Sequence, residues 1–526
     1  MLRSGGALSL LTLASRVLGL FREMTKAALL GTSALSDAFS VAFLIPNLFR
    51  RLFAEGSIAV AFIPTLKEYL LEGDRAKIRR FVSCVFTFLT FFVSLAVAAG
   101  MLLCPLLISL FGFFEAFDET VFLTRIMFPF LAFISIAALF QGILNSVHIF
   151  APSGLAPILL NIITIACAYG LSPFTANPAR AMAIGIIAGG FMEAAIQFPF
   201  VWKEGFHFCF TGIRTAVKNP GTRAVLRLVG PTIIGMAAYQ VNDLVSTVLA
   251  GNAGEGVVSS LQYSLRLQEL ILGIFAVSIG TVLLPNLAEY AKSGRWAEYN
   301  ERLSQAIDII ALIAIPITFF FLTQGDNLIR LLFQTRSFNE DSVALTYAAF
   351  LYHMPGLFFI ALNRILAPAF YAQSNSKSPT LAGILSFAVN IALAALLVGP
   401  MRGSGVALAL TVASAVNTAF LLWFLGRNPQ IAVGRALVPA ALYTVKLVVF
   451  SAAAAAPVYF LGPRINGFFA GRGGRIIVYG LPLAAAALLF AFIGITMLVI
   501  SGDKQVKALA GMFTSRRNNS RREKDK

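Results

Sequence analysis

The chain contains many apolar segments that are each long enough to cross a lipid bilayer as a helix. It is 58% hydrophobic and only 12% charged, whereas soluble domains carry about 25% charged residues. A hydrocarbon core about 30 Å thick needs roughly 20 consecutive apolar residues in a helix. Because lipid offers the backbone no hydrogen bonds, helices are favoured. The sequence therefore predicts an all-α polytopic membrane protein.

Fourteen segments are predicted to span the membrane. They lie at 7–31, 35–64, 81–112, 121–148, 155–176, 180–202, 223–250, 257–288, 303–333, 343–372, 379–399, 403–426, 436–461 and 475–501. Lysine and arginine concentrate in the loops at 67–80, 203–227 and 289–302, whereas the loops at 113–120 and 251–256 carry acids and no base. Since cytoplasmic loops are rich in Lys and Arg, both termini are predicted to be cytoplasmic.

The formal net charge of +17 would suggest a nucleic-acid partner in a soluble protein. Here the basic residues concentrate in short loops and in the tail at 503–526, so membrane topology explains the charge and no nucleic-acid partner is expected. The tail is predicted to be cytoplasmic and to contact anionic lipid headgroups.

An internal repeat relates the two halves of the chain. The string FIPTLKEY at 62–69 matches LLPNLAEY at 283–290. A repeat of six helices keeps its orientation in the membrane, and parallel repeats are typical of transporters whose cargo site lies between the repeats. The prediction is an N-terminal lobe at 1–202, a C-terminal lobe at 203–428 and two extra helices at 429–502.

Four arginines lie in the first two predicted spans, namely Arg16, Arg22, Arg50 and Arg51. An arginine at mid-membrane costs roughly 2.5–3.5 kcal/mol. Its guanidinium stays protonated and binds phosphate oxygens through paired N–H groups. A surplus of such cations therefore predicts a cavity for a phosphate-bearing cargo. Arg50 is predicted to face this cavity, and Arg51 to support the structure together with Glu55.

Other charges also lie inside predicted spans. Arg266 and Glu269 stand at i and i+3, which places them on one helix face. Two readings stay open for them: a self-satisfied ion pair, or an arginine held ready for cargo. Asp37 accompanies the first arginines, and a bent helix would bring it towards the same cavity. Asp243 and Arg364 are further charges inside predicted spans. Two roles stay open for Asp243: it helps to bind a cation, or it forms an ion pair that stabilises packing.

No enzyme signature is present in the sequence. There is no phosphate-binding GxxxxGK[ST] loop, and the four cysteines and three histidines show no metal-ligand spacing. No acid cluster that would hold a metal-bound diphosphate stands in a cytoplasmic loop. The prediction is a transporter that has no ATPase and no cofactor, and that is driven by an ion gradient, the membrane potential or consumption of the product.

Three strings carry a resemblance to a known family. SRVLG at 15–19, PNLFRRLFAEG at 46–56 and RLQEL at 266–270 closely resemble the MurJ (MviN) family of bacterial lipid II flippases, in the MOP transporter superfamily. The resemblance covers the whole chain, including the fourteen-helix count. It implies two six-helix lobes around a cationic cavity, with a groove for a polyprenyl tail formed by the last two helices.

The cargo implied by the resemblance is lipid II, which is undecaprenyl-diphosphate bearing the disaccharide-pentapeptide precursor of peptidoglycan. It would cross the bacterial cytoplasmic (inner) membrane by alternating access, carried by a monomer. The residues implicated in cargo handling are Arg16, Arg22, Asp37, Arg50, Arg266 and Glu269. Some family members have a sodium site joining the seventh and eleventh helices. Asp243 and Asn390 would contribute here, but no acid stands near Asn390, which argues against sodium coupling.

Three competing functions follow from the same residues. A carrier of another polyprenyl-diphosphate oligosaccharide, of the O-antigen type, stays open because the diphosphate is shared. An exporter of cationic drugs should present acids to its cavity in place of arginines. An enzyme acting on polyprenyl phosphate would need a metal-binding acid cluster, which the sequence does not contain.

Overall fold

The computed structural model describes residues 2–51, 57–109, 116–503 and 505–506, and it is helical throughout this part. The first helices are α1 Leu2–Leu30, α2 Ala34–Arg50, α3 Ser57–Glu72, α4 Arg75–Ser109, α5 Phe117–Met127, α6 Phe130–Ser146, α7 Ala151–Leu171, α8 Pro178–Lys203, α9 Ile213–Lys218 and α10 Pro220–Gly251. The remaining helices are α11 Val257–Lys292, α12 Trp296–Phe333, α13 Glu340–His353, α14 Gly356–Ala372, α15 Lys377–Met401, α16 Gly403–Gly426, α17 Val433–Phe469 and α18 Leu481–Ile500.

The helices form two compact units. The first unit comprises Met1–Tyr263 and Thr335–Ser342, and the second comprises Ser264–Gln334 and Val343–Lys526. The boundary between the units therefore falls inside α11 and again inside α13. In the first unit, Phe62, Phe81 and Phe130 belong to one buried hydrophobic core.

Many of the helices are long and apolar enough to cross a membrane. In the described part of the chain nine helices meet this criterion, and the number is ten if α13 and α14, which meet at 47°, form one span. The chain is therefore an all-helical, multi-pass membrane protein. The count of fourteen spans stays a prediction.

Two predicted spans are divided into two helices each. The segment predicted at 121–148 forms α5 and α6, and the one at 343–372 forms α13 and α14. Pro129 and Pro355 stand at these breaks. Proline has no N–H group, and it disfavours helical backbone in the residue before it. The two proline breaks stand in the fourth and tenth predicted spans, which correspond in the predicted repeat.

Side chains from three helices satisfy the backbone at the break between α13 and α14. The carbonyls of residues 352–354 accept hydrogen bonds in turn from Thr411 of α16 at 2.6 Å, from Gln268 of α11, and from Thr318 of α12 at 3.2 Å. The approach is close, because a Cβ atom at Gly356 would lie 2.6 Å from the Thr411 hydroxyl oxygen. In lipid an unsatisfied carbonyl is costly, so these side chains make the broken helix tolerable.

The C-terminal helices α17 and α18 are joined at one end through Asp503. Its Oδ2 accepts a hydrogen bond from Lys446 Nζ at 2.7 Å, and its Oδ1 accepts one from the Tyr443 hydroxyl at 3.2 Å. Burial acts to raise the pKa of Asp503, but the hydrogen bonds from Lys446, the Val506 backbone and Tyr443 outweigh burial and lower that pKa. Asp503 is thus a charged link that fixes the end of α18 to α17.

The hydrogen bond from Thr411 should contribute measurably to stability. Thr411→Val removes the donor to the Tyr352 carbonyl, which should cost about 1 kcal/mol and lower the unfolding temperature in detergent. Thr496→Val is the matched control, since Thr496 is exposed on α18 and binds only a carbonyl of its own helix. Equal unfolding temperatures for the two variants would contradict this account of the break.

Candidate functional site

A polar pocket lies inside the first unit. Its polar lining consists of Arg22, Glu23, Lys26, Ser40 and Gln262. Residues 22 and 26 are four apart on α1, so their side chains share one face of the helix. The lining carries two basic groups and one acid, which makes the pocket suitable for an anion.

Arg22 lines this pocket, and its role in cargo handling stays a prediction. Its Nη2 lies 3.0 Å from Glu23 Oε1, and the two side chains are 16% and 15% exposed. The guanidinium also lies 5.7 Å from the centre of the Phe43 ring. The charge of Arg22 is thus partly balanced by its neighbour while the side chain stays at the pocket wall.

Lys26 is the pocket residue that the sequence reasoning missed. It is 3% exposed, and its Nζ donates to Ser40 Oγ at 2.5 Å and to Gln262 Oε1 at 3.3 Å. The same nitrogen lies 4.8 Å from the centre of the Tyr263 ring, within the range of a cation–π contact. The signal in the sequence was the four-residue spacing from Arg22.

Asp37 lies at the start of α11, and its carboxylate also interacts electrostatically with the Lys26 ammonium. Its Oδ2 accepts a hydrogen bond from the Gly256 N–H and its Oδ1 accepts one from the Ser259 N–H, both at 2.8 Å. The first N–H groups of a helix have no partner within it, and they favour a negative charge. Asp37 is 4% exposed, so α2 caps α11 through a buried carboxylate.

The turn between α1 and α2 has further contacts around this cap. The Thr32 hydroxyl donates to Ser342 Oγ at 2.8 Å, and the Tyr263 hydroxyl donates to the Gly31 carbonyl at 3.1 Å. Gly256 has φ +77°, and a Cβ atom there would lie 2.4 Å from the Thr32 carbonyl oxygen. These contacts and the Asp37 cap hold the turn against α11 and the start of α13.

The other arginines of the first unit have different surroundings. Arg50 Nε donates to Asn47 Oδ1 at 2.8 Å on its own helix. Arg51 Nη1 lies 3.7 Å from Asp243 Oδ2, and the predicted partner of Arg51 at position 55 lies outside the described residues. Arg16 is half-buried on α1, with no ion-pair partner in the described part of the chain. Asp243 therefore supplies negative charge to an arginine.

In the second unit, the predicted pair on α11 is formed. Arg266 Nη1 lies 3.3 Å from Glu269 Oε2, and the side chains are 34% and 54% exposed. Arg364 on α14 is exposed and has no ion-pair partner among the residues that the structure describes. Asn390 is buried in α15. Over the described ranges, no group of three or more His, Cys, Asp or Glu side chains could hold a metal ion.

Comparison with known proteins gives one family. A family model described as "Lipid II flippase MurJ" matches residues 26–471. A probable lipid II flippase MurJ of Treponema pallidum (strain Nichols) is 44% identical over 510 residues, which is 96% of each chain. The chain belongs to the lipid II flippase MurJ family. The MurJ family consists of transporters and not enzymes, which agrees with the prediction from the sequence.

Further MurJ relatives and solved structures agree. The lipid II flippase MurJ of Burkholderia cenocepacia is 33% identical, over 79% of this chain and 81% of that protein. A structure of "Lipid II flippase MurJ, inward closed conformation" matches with TM-score 0.77 and 23% identity, over 93% of this chain and 98% of that one. A multidrug resistance MATE family transporter of the MOP superfamily matches with TM-score 0.66, 12% identity and coverage of 82% and 95%. These structures share the fold.

The cap that Asp37 makes on α11 should contribute more to the free energy of unfolding than an exposed helix cap does. Asp37→Ala removes two charge-assisted hydrogen bonds and leaves two buried N–H groups, which should cost about 2 kcal/mol or more. Asp74 accepts hydrogen bonds from the Ala76 and Lys77 N–H groups at an exposed helix start, and Asp74→Ala should cost about 1 kcal/mol. Thermal unfolding of the two variants measures the difference, and an equal loss would show that burial adds nothing.

Proposed function

We propose that this protein is a lipid II flippase, which moves undecaprenyl-diphosphate-disaccharide-pentapeptide from the inner to the outer leaflet of the bacterial cytoplasmic membrane for cell wall synthesis. The observation that carries the proposal is membership of the MurJ family, with a relative 44% identical over 96% of the chain. That relative is named a probable lipid II flippase, and the alignment covers 96% of both chains.

The charges of the described residues support a diphosphate cargo. Arg22 and Lys26 line a pocket inside an apolar protein, and Arg364 lies in the largely apolar helix α14. Guanidinium groups bind phosphate oxygens in pairs and do not lose their proton. The polyprenyl tail can stay in the bilayer, so the protein has to neutralise mainly the headgroup charge as it crosses.

Arginine and acid residues are proposed to handle the cargo together. The set is Arg16, Arg22, Asp37, Arg50, Arg266 and Glu269. Because Arg22 and Arg266 each pair with an adjacent acid, with N···O distances of 3.0 and 3.3 Å, a phosphate would compete with a carboxylate for each guanidinium. Such exchangeable pairs favour binding that is reversible, which a transporter requires.

Alternating access is the proposed mode of transport. The Asp37 cap and the contacts of the α1–α2 turn are hydrogen bonds, which are modest in net free energy, and they are the proposed closure at the outer end of the first unit. The proposed topology has fourteen spans and both termini in the cytoplasm. Its proposed lobes are 1–202 and 203–428, followed by a tail groove at 429–502 and the basic tail at 503–526.

The energy source is proposed to be the membrane potential or a monovalent cation. Coupling through a sodium site at Asp243 and Asn390 is the less favoured of these proposals, because Asp243 Oδ2 already lies 3.7 Å from Arg51 Nη1. A carrier of another polyprenyl-diphosphate oligosaccharide is the alternative function, since it would use the same phosphate contacts. The protein is proposed to act as a monomer.

Loss of the proposed cargo arginines should abolish function in cells. In a bacterial strain depleted of its own flippase, Arg22→Ala and Arg50→Ala should each fail to restore growth, because a diphosphate loses a paired cation. Arg214→Ala is the matched control, since Arg214 is exposed on α9, and it should restore growth fully. If Arg22→Ala and Arg50→Ala both restore growth at normal protein levels, the arginine–cargo account fails.

A further inference from the structure

The connection between α17 and α18, at residues 470–480, carries arginines and no acid. Arg472 and Arg475 lie in this connection, and Arg464 lies just before it, near the end of α17. All three side chains are exposed, and none of them forms an ion pair within the described part of the chain. In the proposed topology this connection is on the outer side of the membrane, where lysine and arginine are normally depleted. The positive-inside rule therefore does not explain these three cations.

An exposed aromatic ring brings two of the arginines to the same side of the connection. Phe468 follows Arg464 by four residues on α17, so the two side chains share one face of the helix. The guanidinium carbon of Arg472 lies 4.2 Å from the centre of the Phe468 ring, which is within the range of a cation–π contact. Because Phe468 is 62% exposed, it holds Arg472 at the surface and beside the face that carries Arg464.

The third arginine fixes the connection to a neighbouring helix and keeps donors for a ligand. Arg475 Nη1 donates a hydrogen bond at 2.5 Å to the carbonyl of Gln334, the residue that follows α12. A guanidinium has five N–H donors, so this bond leaves most of them available. Gly473 and Gly474 have φ +75° and +78°, and a Cβ atom on either would meet no atom within 4 Å. The space beside Arg472 and Arg475 is therefore open.

The chemistry of this cluster fits the headgroup of a lipid diphosphate. All three cations are guanidinium groups, which bind phosphate oxygens through paired N–H groups. A bulk phospholipid offers one phosphate and a polyprenyl diphosphate offers two, so three guanidinium groups match the diphosphate better. Phe460 and Ile476, close in sequence to Arg464 and Arg475, are 75% and 74% exposed. These apolar side chains provide a surface for a lipid chain beside the cations, which a soluble anion would not use.

We propose that Arg464, Arg472 and Arg475 form a receiving site on the outer side, where they bind the diphosphate of a lipid that has already crossed the membrane. This inference rests on the proposed flippase function and its topology. The cluster lies in the second unit, so it is separate from the arginines of α1 and α2. It would hold the product at the outer surface before the product enters the bulk leaflet.

Photo-crosslinking at the connection tests the receiving site. The purified full-length chain, with p-benzoylphenylalanine in place of Ile476, is placed in phosphatidylcholine nanodiscs that contain undecaprenyl diphosphate. Arg464→Gln combined with Arg472→Gln should lower the crosslinking of this lipid about tenfold or more, because charge-assisted contacts are lost. Arg79→Gln combined with Arg80→Gln is the matched control. Both of these arginines are exposed on α4 and the same charge is removed, so crosslinking should be unchanged.

Competing lipids and thermal unfolding separate the receiving site from simpler roles. Phosphatidylglycerol should compete with undecaprenyl diphosphate only in large excess, and uncharged undecaprenol should crosslink weakly. Equal competition by phosphatidylglycerol would assign the arginines to bulk lipid, and equal crosslinking of undecaprenol would assign the surface to the lipid chain alone. Either result overturns the proposal. The variant that lacks Arg464 and Arg472 should unfold at the temperature of the unmodified chain, because both side chains are exposed. A lower unfolding temperature would show a structural role and also overturn it.

Transport of lipid II by the unmodified chain in vesicles separates the receiving site from the proposed function. If the unmodified chain moves lipid II and loss of Arg464 and Arg472 leaves crosslinking unchanged, the receiving site fails while the flippase function stands. If the unmodified chain moves no lipid II, the function fails, and the receiving site fails with it because no product reaches the outer side.

Discussion

Charge inside an apolar helical protein has to be balanced, and this requirement organises the first unit. Asp37 is balanced by two N–H groups at the start of α11. Arg22 is balanced by Glu23, and Arg51 by Asp243. Lys26 donates hydrogen bonds to Ser40 and Gln262, and its charge interacts with the Glu23 and Asp37 carboxylates.

The backbone obeys the same requirement in the second unit. Proline at 355 interrupts the helix that would otherwise run through α13 and α14, and the three carbonyls at 352–354 then accept hydrogen bonds from Thr411, Gln268 and Thr318. Because lipid provides no donors, a break of this kind needs polar side chains from neighbouring helices. Both α11 and α13 cross from one unit into the other, so the satisfied break belongs to an element that links the two units.

The sequence predicted the class of the protein and part of its site. The part that it predicted consists of contacts between residues that are close together in the sequence. The Arg266–Glu269 pair followed from i, i+3 geometry, and the structure contains it. The cap by Asp37 depends on a residue 219 positions away, and no local pattern indicates such a contact. Lys26 shares a helix face with Arg22, but it was not among the predicted site residues because only arginines were considered as phosphate ligands. The bend between α13 and α14 was missed because hydropathy does not register proline.

Transbilayer movement of lipid II in vesicles containing only the purified protein tests the central claim most directly. Lipid II placed in one leaflet should become accessible in the other leaflet in a time-dependent manner. Replacement of Arg22 by alanine should slow this movement about tenfold or more, as expected for loss of a charge-assisted contact. Movement no faster than in protein-free vesicles, under an imposed membrane potential and a sodium gradient, would contradict the account. Faster movement of an O-antigen-type lipid than of lipid II would favour the alternative cargo.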